Sequence, residues 1–464
     1  MRFSFVIAIT LLTFQVSGQY LTPINDSLHS AVLNEQRRID IMLPENYDKD
    51  TARYDVWYVP DGEWNTRTFS NIAGYLSSIG FAPRLIIVGV HNRYASNGFN
   101  YRGRDMTPLK APDIDSSGGA ETFLKFFEDE LIPYIDSRYR TSRERGIFGS
   151  SLGGVFAMYC LLEKPYVFRF YTLADPAFQF AGQYINTLAE QRLAKLKISD
   201  IVLNIGGRSG TSYNLMGGDV MDSLLRKHAP EGLHWHSQRY DDETHISSVF
   251  KSNYDGLKFA YLGYSSMNIL PNLTAGIVLK DRPINLFFPT DHTNIRYTTD
   301  GSVPTRRSAR IEEYITVSNP DHLRVKSFSS IGKYDYDIVT NLRTGNFLSA
   351  KKLSRNVRLA GKIDKGSKID RSGKMYGFMS APVDGYYVFQ LTPSEGTKLK
   401  LNDSTIIDGD RNNAGIRKTL ILPLRKGNYP FSLYHPSRKL NDLHVDLGVY
   451  YSEDGLNNWN VLLN

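Results

Sequence analysis

Hydrophobic and polar positions fall into two textures along this chain. Between residues 30 and 265, short apolar runs alternate with stretches that repeat apolar residues at helical spacing. The runs are RRIDIML (37–43), YDVWYV (54–59), RLIIVGV (84–90), RGIFG (145–149), FRFYTLA (168–174), DIVLNIG (200–206) and LHWHSQRY (233–240). The middle ones are apolar on successive positions, so both faces need cover, as in a buried parallel sheet. AETFLKFFEDELIPYID (120–136) places Phe123, Phe127 and Leu131 on one helical face, and GDVMDSLLRKHA (218–229) has similar spacing. Strand and helix in alternation predict an α/β domain whose mostly parallel sheet is covered on both sides.

Beyond about Ser265 helical periodicity disappears. Short alternating strands are punctuated by NPD, TDGS, RTGN, DGYY and KGNYP, the pattern of all-β domains. The expected organisation is a leader at 1–18, an α/β domain at 19–268, and two β-domains at 269–345 and 346–464. The leader reading rests on Arg2, the apolar stretch Phe3 to Phe14 and the small residues Ser17 and Gly18. That stretch is too short to span a bilayer. It predicts export, to the medium or a periplasm. Cys160 is the only cysteine of the 464 residues, so no internal disulfide is expected, and its apolar neighbours mark it as a small buried hydrophobe.

The formal net charge is +7, and all of the excess lies in the C-terminal part, where 28 basic residues face 19 acidic ones from Pro271 onward. The densest basic run spans 350–374. Such runs are mostly solvated faces; the functional alternative is attraction to acidic glycans or an anionic surface. Nothing in the chain resembles a nucleic-acid-binding motif.

The chemistry centres on GIFGSSLGGVFAMYC (146–160). Gly149-Ser150-Ser151-Leu152-Gly153 has the form G-x-S-x-G. By itself the pentapeptide is a weak signal. Here it follows an apolar strand and opens a helix that runs to about Glu163 and is stopped by Pro165. A sharp strand-to-helix turn lifts a serine hydroxyl off the sheet, and small neighbours make that turn feasible. Ser151 is therefore the candidate nucleophile.

A serine hydroxyl needs a base. His228, in a helix's last turn, suits the helix dipole. His234 and His236 share one face of a strand and, with Asp241 and Asp242, suggest only a weak metal pair. His245, in YDDETHISSV, follows a strand and precedes a helix, so it belongs at the carboxyl edge of the sheet, where α/β sites are built. It is the candidate base. For the developing oxyanion, the amide of Leu152 is one donor and that of Gly62, in YVPDGEW, the other.

These stretches, with RGRDMTP, FFEDELIPYIDSRYRT and DETHISSVF, resemble the esterase family of α/β-hydrolases. That family holds enterochelin-type siderophore esterases, feruloyl and acetyl-xylan esterases and S-formylglutathione hydrolases. The resemblance covers about 27–265 and implies Ser151 as nucleophile, His245 as base, and Gly62 and Leu152 as oxyanion donors. The family places an acid three residues after the glycine that ends the preceding strand. In VLNIGGRSG that position holds Ser209, beside Arg208. Asp219 is the expected substitute, with Asp222, Asp242 or a plain Ser–His dyad as alternatives. Farther on, NIRYTTDGSVPT resembles the chitobiase/β-hexosaminidase C-terminal β-sandwich, an Ig-like sandwich. DGYYVFQLTPSEGTKLKLNDSTIIDGD and LRKGNYPFSLYH resemble the protective-antigen-type lectin domain, with Ser394-Glu395-Gly396 where a calcium-binding aspartate pair often stands.

The expected protein is thus an exported serine esterase with no metal or cofactor, acting on esters of carbohydrate. Its two β-domains are candidates for glycan binding or for a spacer role. The alternatives are a siderophore trilactone esterase and an inactive glycan-binding protein on the same fold.

Overall fold

The computed structural model describes residues 22–463, except 112–115, 266–268, 291, 365–369, 371, 411–414, 437–446 and 457. The expected leader at 1–18 lies outside the described residues. The described part forms two compact units. One comprises the residues before 268 together with Ser329–Tyr334; the other comprises the rest.

The first unit is built on eight strands: β1 (Ile24–Ser30), β2 (Glu35–Met42), β3 (Tyr54–Pro60), β4 (Leu85–Val90), β5 (Thr141–Ser150), β6 (Phe170–Ala174), β7 (Ile201–Arg208) and β8 (Leu233–Tyr240). Their order across the sheet is β1-β2-β4-β3-β5-β6-β7-β8. The β1–β2 and β2–β4 pairs are antiparallel and all the others parallel. Every residue of β3, β4 and β6 is buried, which is why those runs read as continuously apolar. Alternate residues feed two cores. Val56, Tyr58 and Ile147 enter one, and Trp57, Val59 and Phe148 enter the other.

Among the described residues nine α-helices accompany this sheet: α1 (Gly62–Ser78), α2 (Arg102–Met106), α3 (Ala120–Phe126), α4 (Ile132–Arg138), α5 (Leu152–Glu163), α6 (Phe180–Arg192), α7 (Thr211–Leu215), α8 (Gly218–His228) and α9 (Ser248–Ala260). The single helix expected over 120–136 is divided by a π turn at Phe127–Leu131. The wider turn lets Phe123, Phe126 and Phe127 all be buried in the core that holds Phe156. Pro133, which has no N–H to return to the preceding turn, follows one residue later, after Ile132.

Ser329–Tyr334 lies far along the chain yet belongs to this first unit. Ile331 enters the core with Trp57, Phe69 and Tyr261. Lys333 pairs with the buried carboxylate of Asp55, and Tyr334 donates to the other oxygen over 2.8 Å.

The second unit is built mainly of β-sheets, with one short α-helix among its described residues at Arg355–Ala360. Ala275–Leu279 pairs in parallel with Asn341–Gly345 on one side and Lys418–Leu424 on the other, within a six-stranded sheet. The boundary expected at 345/346 therefore runs through one sheet. The core agrees, since Ile284 and Ile295 pack in one cluster with Tyr386 and Ile421. A four-stranded antiparallel sheet follows, in the order Lys374–Ala381, Gly427–Tyr434, Lys398–Leu401 and Ser404–Asp408. Among the described residues no helix is long and apolar enough to cross a membrane.

Candidate active site

β5 ends at Ser150 and α5 begins at Leu152, so Ser151 is the whole turn between them. Its backbone is strained, with φ 55° and ψ −115°. The surroundings hold it there. The Ser151 amide donates to Ala174 O over 3.0 Å, and its carbonyl accepts from the amides of Gly154 (3.0 Å) and Ala177 (3.1 Å). The flanking glycines are forced by contact. A Cβ on Gly149 would lie 2.0 Å from Gly153 O, and one on Gly154 would lie 2.7 Å from Pro176 Cβ. Among the described residues the Ser151 hydroxyl has no hydrogen-bond partner, so it is free to rotate.

The residue after Ala174 is Asp175, at the tip of β6. Its side chain is fully buried and its φ is 41°, a left-handed conformation unusual for a non-glycine residue. His245, half-buried in the loop between β8 and α9, donates from Nδ1 to Asp175 Oδ2 over 2.6 Å. A carboxylate can only accept here, so Nδ1 carries the proton and Nε2 is left with its lone pair available for a hydroxyl. Burial pushes the Asp175 carboxyl upward. Hydrogen bonds from His245, from the Arg208 amide and from the Arg208 guanidinium outweigh burial and hold it below the ordinary carboxylate value.

This corrects the expected acid. Asp219 stands exposed in the first turn of α8, where a carboxylate suits the dipole, and the structure gives it no bond to His245. Asp222 is committed elsewhere. It accepts from Ser237 Oγ (2.6 Å) and Tyr213 OH (3.2 Å) and pairs with Arg239. Asp242 is exposed, in a left-handed turn. Ser209, at the position the family resemblance gives to the acid, donates its amide to Tyr240 O. Its neighbour Arg208 reaches Asp175 instead, with Nε 2.7 Å from Oδ2 and the main-chain amide 3.2 Å from Oδ1. Asp175 had a legible signal: the run FYTLADPA is an apolar strand ending in a carboxylate at the sheet's carboxyl edge.

Leu152 and Gly62 each occupy the first position of a helix, α5 and α1, where an amide has no partner inside its own helix. Gly62 is required by packing, since a Cβ there would lie 2.7 Å from Val90 N. The preceding Asp61 is buried, with φ 56°, and is gripped by Arg102 through Nε (2.7 Å) and Nη2 (2.9 Å) and by Asn92 Nδ2 (2.8 Å). Arg102 Nη2 also donates to Ser150 O over 3.0 Å, which ties the Gly62 loop to the serine turn. His234 lies 3.7 Å from Asp200, and His236 Nδ1 lies 3.3 Å from Asn204 Oδ1, so the two belong to the sheet and not to the Ser151 cluster. Cys160 is fully buried in α5, and burial pushes its thiol up.

Three segments match known families. Residues 30–210 match the family described as "Putative esterase", 273–340 the chitobiase/β-hexosaminidase C-terminal domain, and 353–439 the PA14 domain. The chain is 31% identical over 131 residues to the ferri-bacillibactin esterase BesA of Bacillus subtilis, covering 26% of this chain and 45% of that one. It is 30% identical over 138 residues to the siderophore triacetylfusarinine C esterase of Aspergillus fumigatus, covering 28% and 47%. The chain thus spans about half the length of these curated relatives. A solved IroE-like serine hydrolase from Shewanella oneidensis shares 30% identity, covering 51% of this chain and 79% of that one, at a TM-score of 0.47.

Proposed function

We propose that this chain, which carries an esterase-family segment followed by chitobiase-C-terminal-like and PA14 segments, is a serine hydrolase of carboxylic esters. The observation that carries the reading is the His245 Nδ1–Asp175 Oδ2 bond at the sheet edge where Ser151 is held in a strained turn. His245 Nε2 takes the Ser151 proton as Oγ attacks the ester carbonyl carbon. The amides of Leu152 and Gly62 receive the negative charge that develops on the carbonyl oxygen. The tetrahedral adduct collapses and the alcohol leaves with the proton from His245. Water, deprotonated by the same histidine, then frees the acid and restores the serine. Asp175 stays ionised throughout and keeps the imidazole in the required tautomer.

The test is hydrolysis of aryl acetates, with labelling of Ser151 by a fluorophosphonate read by mass spectrometry. Turnover and label that both vanish in Ser151→Ala support the reading. Equal turnover in Ser151→Ala removes it, and absence of both turnover and label in the wild type would favour an inactive binding protein.

For the substrate we favour acylated carbohydrate. Supporting this is the outer face of the four-stranded sheet in the second unit, where Tyr376 and Tyr434 stand exposed among Lys374, Lys398 and Lys400. Flat rings and ammonium groups together suit a sugar polymer that carries carboxylates. A siderophore ester is the second reading, favoured by the siderophore esterases among the relatives named above. A panel of feruloylated or acetylated sugars against trilactones separates the two by kcat/KM. Export remains a proposal resting on the first 18 residues, tested by where the tagged full chain accumulates.

A further inference from the structure

Asp175 is held by two groups besides His245, and both come from one residue at the tip of β7. The Arg208 amide occupies Oδ1 at 3.2 Å, and Arg208 Nε shares Oδ2 with His245 Nδ1, at 2.7 and 2.6 Å. With both oxygens tied, the carboxylate plane is fixed and one lone pair of Oδ2 faces the imidazole. The space is fitted as well, because a Cβ on Gly207 would come within 3.2 Å of Asp175 Oδ1. The Arg208 side chain is itself three-quarters buried, so its charge is only partly screened.

We propose that Arg208 is a positioning residue for the proposed ester hydrolysis: it orients the Asp175 carboxylate toward His245 and moderates the negative charge that the imidazole feels. This deepens the serine-hydrolase reading and rests on it. β7, the strand that the family resemblance makes the acid's carrier, thereby contributes a cation to the site, while the acid itself comes from β6. The other charged groups nearby in the chain are Asp241, Asp242 and Glu243 on the histidine's own loop. Glu243 is neutralised by Lys251 of α9 at 2.8 Å.

The direction of the effect follows from charge. While Arg208 is present, Asp175 gives part of its field to the guanidinium. Remove the guanidinium and the carboxylate stabilises the imidazolium more strongly, so more acid-side activity is lost. In Arg208→Met, which keeps an apolar stem, the acid limb of kcat/KM should move to higher pH by about half a unit to one unit. The kcat should fall about 10- to 100-fold, less than the roughly 10⁴-fold cost of losing a triad carboxylate's role. Arg208→Lys keeps the charge but not the planar Nε donor, so it should return the acid limb to its wild-type position and restore kcat only in part.

The test measures pH profiles of kcat/KM for wild type, Arg208→Met and Arg208→Lys, together with the NMR titration of the His245 ring, which needs no substrate. Melting temperatures of the three proteins are compared. The proposal is supported if the acid limb and the ring titration both move up in Arg208→Met while Lys restores them. It is overturned if both stay at the wild-type position, whether kcat is unchanged or falls in step with a lower melting temperature, since that describes a merely structural contact. Ser151→Ala reports separately on the hydrolase reading, and the ring titration decides on Arg208 even if that reading fails.

Discussion

Ending the chain near residue 268 would leave the whole α/β segment in sequence but remove Ser329–Tyr334, and with it two of the groups that satisfy Asp55. That carboxylate is 2% exposed. In the intact chain it accepts from Ser142 Oγ (2.6 Å), Tyr261 OH (3.3 Å) and Tyr334 OH (2.8 Å), and it pairs with the Lys333 ammonium. Truncation strips away the only cation in this set and leaves a charge in a core lined by Trp57 and Tyr261. Leaving a buried charge unpaired costs about 3–5 kcal/mol. Losing Ile331 from the same core adds about 1.5–3 kcal/mol. The sum, about 4.5–8 kcal/mol, rivals the about 5–15 kcal/mol that holds an ordinary domain together. The chain ending at 268 should therefore be insoluble, or should melt at least about 10 °C below the transition of the α/β unit in the full chain. Introducing Asp55→Asn into the truncated chain removes the stranded charge and should recover part of the loss. The assay is calorimetry of the full chain, the truncated chain and the truncated Asp55→Asn chain, with aryl-ester turnover as a check of folding. A truncated chain that melts within about 2 °C of the full-length transition and keeps full turnover would refute the reasoning.

Asp175→Asn should lower kcat by about 10⁴-fold and, because it leaves the three-quarters-buried Arg208 without its anion, should also lower the melting temperature, whereas Asp219→Asn should match wild type in both; a crippled Asp219→Asn with a healthy Asp175→Asn would reverse the assignment. Gly149→Ala should cost at least about 3 kcal/mol and yield little active protein, read by expression and thermal melts, because the added methyl meets backbone that cannot yield. Asp50 is held down to about 2, first by the hydrogen bond from Tyr54 OH and then by Arg84. A depressed carboxylate stabilises the fold above its unfolded value of about 4 and loses that contribution as pH falls through the folded value. Asp50→Asn should accordingly flatten the denaturation midpoint against pH between about 4 and 2, and leave the profile above pH 5 parallel to wild type.

What could be read from sequence, and what could not, divides along physical lines. The interior strands were visible because burial on both faces leaves an unbroken apolar run, as in LIIVGV of β4. β1, with the sequence INDSLHS, carries no such signal, because an edge strand held by pairing to β2 can stay polar. The serine turn was visible because its glycines are imposed by contacts within a few residues of one another. The segment Ser329–Tyr334 was invisible for the opposite reason: Asp55 and Ser142, which bind its Lys333 and Tyr334 side chains, lie some 190 to 280 residues away, and nothing in SSIGKY marks a lysine and a tyrosine as ligands of Asp55.

The acid failed to appear for a subtler reason, which bears on how such sites tolerate change. A histidine on a loop at the carboxyl edge of a parallel sheet lies within reach of more than one strand tip. Here β6 and β7 run side by side in register, with Ala174 opposite Gly206, so Asp175 and the residues after Gly206 sit at nearly one level. Either tip can present a carboxylate to the same imidazole, and the unused tip must then offer something compatible with a buried negative charge. Arg208 is that compatible partner, and its presence beside Ser209 is itself evidence that the carboxylate stands on the neighbouring strand. A basic residue next to the position where an acid is expected therefore points across the sheet. The strand to search was the adjacent one, and the residue to find there was a carboxylate at its tip.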